Sequence, residues 1–218
     1  MLLNKILKII FIVSLVLLII SLNFKLLALN FNFYKKEFSK LNVYEKIPDA
    51  DKQALNLINY YNNKEELSNF FNDKEKLHLQ DVKNLFQKLS LMFYISLILS
   101  IILLAYFIYT KKYKIIYFSF LIVGILIFIL IILFLIPLTN FDKTFTQFHL
   151  ILFSNNLWQF NPETDNLVNL FPLQFFYDIT KQIIINTIIS SFILIILALI
   201  LKFKLNRLWC NPRISNKI

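Results

Sequence analysis

The sequence predicts an all-α integral membrane protein, with four transmembrane helices and a small helical extracytoplasmic cap. Three observations predict it. The chain has 218 residues, of which 58% are hydrophobic, against ~45–50% in soluble domains. Its mean hydropathy is +0.64. Long uncharged runs recur at the length a bilayer demands, since a hydrocarbon core about 30 Å thick needs roughly 20 apolar residues in helix.

The first run, Ile9 to Phe24, is slightly short for a span. No small-x-small cleavage site follows it, and Leu26 to Phe33 continues apolar past Lys25, whose stem can snorkel. It reads as a retained span over about 6–29 rather than a signal peptide. The runs 89–110, 115–139 and 182–201 are the other three. Together they predict one integral membrane domain over 1–218, with the cap built from 30–88 and 142–181.

Charge orients the spans. Lys5, Lys8, Lys111, Lys112, Lys114, Lys202, Lys204, Arg207, Arg213 and Lys217 fall on one side with no acid among them. That side is cytoplasmic by the positive-inside rule, with both termini on it. All 13 acidic residues lie on the other side, where the remaining basic residues balance them, so the net charge of +10 follows topology. It is not a nucleic-acid footprint. The single cysteine, Cys210, falls in the cytoplasmic tail, reads as an inert thiol and cannot staple the outer segments.

Within the cap, Ala54, Leu55, Leu57, Ile58 and Tyr61 mark one face of a helix begun near Pro48. Asn72 and Glu75 have the spacing of a capping box, and the helix they start runs through Val82, Leu85, Phe86 and Leu89 into the second span. After the third span, Asp142 is a candidate cap for an amphipathic helix. Phe145, Phe148, His149, Leu152 and Phe153 share its apolar face, and it should end near Asn155. Pro162 to Asp165 reads as a turn before an apolar stretch that leads into the last span.

The chain's two histidines, His78 and His149, both fall in the cap. Asp81 is one helical turn from His78, where a carboxylate orients an imidazole and favours its protonated form. Counting rise, His78 should sit ~16 Å from the start of the second span, near the headgroup layer. His149 should lie at similar depth. A lone interfacial histidine is more often packing than chemistry, but two that converge invite a site. The only glycine, Gly124, is inside a span, which excludes a phosphate-cradling loop, a dinucleotide fingerprint and a glycine-flanked nucleophilic serine. No nucleotide is expected. Trp158 reads as an interface anchor and Asp165 as a turn cap.

The stretch His78-Leu79-Gln80-Asp81-Val82 before the second span resembles the bacterial lipoprotein intramolecular transacylase family. So does Phe148-His149 with Phe153, Asn155, Trp158, Pro162, Thr164-Asp165, Leu167 and Phe171-Pro172 before the fourth. One departure is Leu152-Phe153, where the family tends to show paired phenylalanines. The resemblance implies an enzyme in the cell membrane that moves the sn-2 acyl chain of a diacylglyceryl-cysteine lipoprotein onto its own N-terminal amine, giving the lyso-form. The lipid-modified N-terminal cysteine and membrane lipids would be its partners. An ester becoming an amide runs downhill, so no cofactor is expected. His149 would be the base and His78, held by Asp81, its partner. Phe145, Phe148, Phe153, Trp158 and Asp165 would bind substrate. Two rival readings of the same residues are a non-catalytic lipid- or lipoprotein-binding membrane protein and a metal site of His78, Asp81 and His149.

Overall fold

In a computed structural model, residues 2–210 are described, and their helices run α1 (Leu2–Ala28), α2 (Phe31–Lys40), α3 (Val43–Lys46), α4 (Ala50–Tyr61), α5 (Asp73–Tyr109), α6 (Tyr113–Leu138), α7 (Phe141–Leu152), α8 (Asn166–Leu170) and α9 (Leu173–Cys210). There is no strand among the described residues. Arg213 and Lys217 lie outside them, as does the side chain of Cys210. Helices α1, α5, α6 and α9 are long and apolar enough to cross a membrane, and in a bilayer each satisfies its own backbone hydrogen bonds.

The chain divides into two compact units. The described residues of one are 2–23, 92–134 and 184–210. Its core packs Phe11 and Leu15 of α1 with Phe107 of α5 and with Ile116, Val123 and Ile127 of α6, while Ile98, Ile102, Ile129 and Ile193 remain outward. Apolar surface cannot drive helices together in lipid, so close approach and polar contacts do the work. Ser100 donates to Ser14 at 2.9 Å, Asn23 to Ser190 at 3.2 Å, and Ser191 of α9 to the Gly124 carbonyl of α6 at 2.7 Å. The turn between α5 and α6 puts Lys111 in the left-handed region, φ 55°, and Lys112 N–H donates back to Phe107 O at 2.8 Å. This Schellman closure, usually given to glycine, falls here to a lysine.

The other unit comprises residues 24–91 and 135–183. Its core gathers Tyr34 and Phe38 of α2, Ala54 and Leu57 of α4, Leu79 of α5, and Leu170, Phe171 and Phe175 around α8 and the start of α9. Helix α2 is absent from the sequence reading, which saw only apolar chain continuing from the first span. Asn30 caps it by accepting from Phe33 N–H. Lys40 then bridges Glu37 at 3.0 Å and Asp178 of α9 at 2.6 Å. Helix α7 also departs from expectation at both ends. Asn140, not Asp142, caps it by accepting from Lys143 N–H, and the backbone turns extended at Phe153, two residues before the predicted end. Asp142 instead lies in the first turn, where its charge favours the helix dipole.

A Cβ on Gly124 would sit 2.5 Å from Ile195 Cγ1 and 3.1 Å from the Ser191 carbonyl oxygen. Gly124→Leu therefore forces α6 and α9 apart, and we expect it to cost about 1–3 kcal/mol. Thermal unfolding in detergent, beside the milder Gly124→Ala, measures this; an unchanged midpoint for Gly124→Leu would contradict the close contact.

Candidate active site

The site is assembled in the second unit, and its first fixed point is the start of α5. Asn72 Oδ1 accepts from Glu75 N–H at 2.9 Å while Glu75 Oε2 accepts from Asn72 N–H at 2.7 Å, a completed capping box. Glu75 has no solvent exposure. Its other oxygen accepts from Leu167 N–H at the start of α8, so one carboxylate serves the orphan donors of two helices. Asn72 Nδ2 also donates to Asp165 Oδ1 at 2.8 Å, and Asp165 Oδ2 accepts from Asn161 N–H at 2.7 Å. The Asn161 N–H is the main reason the Asp165 carboxyl sits below the usual range. Asp165 is thus a joint between a turn and α5, and it is not on the cavity wall.

One turn beyond Glu75, His78 enters the interior at 6% exposure, and His149 of α7 meets it at 7%. Their ring centroids are 6.1 Å apart at 30°. Both face a cavity of about 250 Å³, walled by Phe145, Trp158, Phe160, Phe171, Phe176 and aliphatic residues of α8. Phe153 packs edge-on to His78 at 5.2 Å and lies 5.6 Å from His149. Phe160 meets the His78 ring at 5.4 Å, and the Trp158 indole lies over His149 at 4.9 Å and 31°.

His149 Nδ1 lies 2.7 Å from the Phe145 carbonyl oxygen one turn back. A carbonyl only accepts, so Nδ1 carries the proton and Nε2 keeps its lone pair. His78 Nδ1 is buried without a hydrogen-bond partner. An orphaned N–H is the costlier way to leave that atom, so the proton belongs on Nε2. Burial pushes the His78 imidazolium down to about 4, with His149 adding to the effect and Asp81 opposing it. Burial also lowers His149, against the pull of the Phe145 carbonyl. Desolvation thus outweighs the pull of the Asp81 carboxylate, which does not bond the ring. Asp81 Oδ2 accepts instead from Asn155 Nδ2 at 2.9 Å.

Of the aromatic residues singled out in the sequence, Phe145 and Trp158 line the cavity, and Phe153 contacts both imidazoles. Phe148 is 53% exposed, meets the His149 ring at 5.5 Å and 79°, and does not line the cavity. Adjacent residues on a helix point ~100° apart, so a stripe holding both could not face one cavity. Phe160 and Phe176 were missed; neither sits in a periodic pattern with a histidine. Among the described residues, no cluster of three or more His, Cys, Asp or Glu is placed to hold a metal ion.

Comparison with known proteins follows this geometry. The family model described as lipoprotein intramolecular transacylase Lit matches residues 9–176. The solved structure of the membrane-integral Lit from Bacillus cereus superposes with a TM-score of 0.83 at 24% identity, covering 94% of this chain and 98% of that one. A variant of the same protein with one histidine changed to arginine gives 0.76 at 22%, over 94% of each chain. At these identities the likeness concerns the fold. A protein of Aquifex aeolicus described as uncharacterized is 32% identical over 108 residues, half of this chain. The match spans 47% of that relative's length.

The Glu75 joint is testable by itself. Glu75→Gln leaves one acceptor oxygen for two backbone donors and aims an amide N–H at the other, which should cost about 1–3 kcal/mol. We expect a lower unfolding midpoint and faster hydrogen exchange at Leu167. Wild-type exchange there would show that the carboxylate does not hold α8.

Proposed function

The chain belongs to the lipoprotein intramolecular transacylase family, and from that premise we propose that it moves the sn-2 acyl chain of a diacylglyceryl-cysteine lipoprotein onto the cysteine's own α-amine. The observation that carries the reading is the pair of buried imidazoles facing one aromatic cavity, His149 with Nδ1 on the Phe145 carbonyl and His78 with Nδ1 unpartnered, an arrangement that assigns a lone pair to His149 Nε2 and a proton to His78 Nε2.

The chemistry divides between them. The neutral α-amine attacks the ester carbonyl, and His149 Nε2 accepts the proton that the new C–N bond releases. His78 Nε2–H hydrogen-bonds the oxyanion of the tetrahedral intermediate. It does not give that proton up, since a neutral imidazole that did so would become an anion. When the C–O bond breaks, the imidazolium of His149 returns its proton to the glyceryl oxygen. Amide and alcohol result, both imidazoles are neutral again, and no cofactor enters the balance. Phe145, Phe153 and Trp158 confine the two ends of one substrate, which replaces a bimolecular encounter with proximity.

The positive-inside rule, applied to the ten basic residues of the inner segments, supports the same reading: cytoplasmic termini and extracytoplasmic histidines, on the side where lipid-modified N-terminal cysteines would emerge.

Mass spectrometry with fragmentation of lipoprotein N-terminal peptides tests the reaction in cells with and without this chain. An amine that stays unacylated in its presence defeats the proposal. His149→Ala and His78→Ala are each expected to lower acyl transfer by about 10²–10⁴-fold.

The pH profile separates the groups. The attacking amine, with a pKa near 7.7–8.0, gives a first-order fall of kcat/KM on the acid side. A histidine at its ordinary ~6.5 would steepen that fall to second order below 6.5. Burial depresses both imidazoles below that ordinary value, His78 down to about 4. We expect unit slope to persist below pH 6.5; a break to slope two at or above 6.5 would contradict the buried neutral pair.

A further inference from the structure

Asp81 does not touch the imidazole it follows in sequence; it ends on Asn155, and Asn155 is used three times. Its Nδ2 donates to Asp81 Oδ2 at 2.9 Å. Its Oδ1 accepts from Leu157 N–H at 3.1 Å, closing an Asx turn. Its backbone carbonyl accepts from Trp158 Nε1 at 3.0 Å. We propose that Asn155 is a positioning residue for acyl transfer: tied to Asp81 on α5, it fixes the turn 155–158 and holds the Trp158 indole over the His149 imidazole. The inference rests on the transacylase reading and deepens it.

The stretch between α7 and α8 contains no helix, so nothing periodic sets the ring's orientation. The three bonds of Asn155 do, and they anchor the turn to a helix rather than to solvent. The consequence for His149 is specific. Its Nδ1 is already occupied by Phe145 O, so the base is Nε2. The indole's only polar hydrogen is committed to Asn155 O, so the ring offers the imidazole a face and no proton. Water is excluded from that face while the lone pair remains free. The titratable group packed against His149 from α5 is His78, at 6.1 Å between centroids. Phe145 comes from its own helix, and Phe153 and Trp158 from the following loop.

The competing role for Asp81 is a direct electrostatic effect on His78. The two roles differ in what position 81 must be. A direct effect needs a carboxylate there. Positioning needs only a partner for the side chain at 155, so exchanging the two residues preserves it: the amide at 81 then donates to the carboxylate at 155, which still accepts from Leu157 N–H.

The experiment uses the full-length protein in lipid bilayers with Trp209→Phe, so that emission comes from Trp158. An imidazolium stacked on an indole quenches it, and the emission midpoint therefore reports His149. Three variants are compared: Asp81→Asn, Asn155→Asp and the two together. Asp81→Asn keeps an acceptor for Asn155 Nδ2 and should retain most activity and the wild-type midpoint. Asn155→Asp opposes two carboxylates; we expect transfer to fall on the order of 100-fold and the midpoint to rise toward ~6.5. The double variant should return both to the level of Asp81→Asn.

Loss of transfer in Asp81→Asn with an unchanged midpoint overturns the proposal in favour of a direct charge effect. Failure of the double variant to recover the midpoint overturns it too. Should Asn155→Asp not fold, the double variant decides alone, since a folded swap with the wild-type midpoint requires the contact. Were the chain to transfer no acyl group at all, the emission arm would still judge the contact, so the two failures are distinguishable.

Discussion

A single buried carboxylate joins the two helix starts around which the site is arranged. Each oxygen of Glu75 accepts one backbone N–H, from Asn72 and from Leu167, residues far apart in sequence. Without it the buried Leu167 N–H would be unpaired, a cost of about 1–3 kcal/mol, and the part-buried Asn72 N–H would lose its protein partner. What it fixes is functional. His78 follows one turn later on the same face of α5, and Leu167 and Val168 are part of the cavity wall. The imidazole and the apolar wall opposite are therefore held in register by one side chain that touches neither reacting group.

The second constraint is that the two imidazoles cannot comfortably be charged together. They are 6.1 Å apart in a low-dielectric interior, and each is surrounded by rings that solvate a cation poorly compared with water. His78 is depressed by burial first and by His149 second. Neutrality is what the proposed chemistry needs, since an imidazolium at either position removes the lone pair that accepts the amine's proton or places a second positive charge beside it. In the proposed reaction an aromatic lining would thus do two jobs: it would shape the space around the acyl chain, and its poor solvation of a cation favours the neutral form of both rings.

Much of the fold was legible because its signals are local. Four apolar runs stand out from charge and length alone, and Asn72 with Glu75 announced α5 by spacing. The histidines were legible as a pair because the chain has no others. What escaped was set by contacts distant in sequence. Asp81 is one turn from His78, which suggested a partnership, yet its bond goes to Asn155, on a loop that no period describes. Glu75 was read as half of a capping box, and its second oxygen is visible only once α8 arrives. Phe148 and His149 shared a predicted face until the helix was seen edge-on, with Phe145 and His149 turned in and Phe148 and Ile151 turned out. Phe153 reaches the histidines because the helix ends one residue before it and the chain turns extended. Spacing gives the direction of a side chain within about a quarter turn; the end of a helix can change it completely.

The lining also bears on which atom is the nucleophile. The commonest acyl-enzymes form on a hydroxyl or thiol beside a base, and no Ser, Thr or Cys is among the described residues that line the cavity. Acylation of His149 itself would consume the only lone pair placed to take the amine's proton, since Nδ1 is occupied by Phe145 O. The proposed direct attack by the substrate's amine avoids both difficulties. It also explains why so spare a site suffices. When amine and ester belong to one molecule, confinement alone supplies effective concentrations far above any solution value. The protein has then only to fold the two ends together, accept one proton and return it.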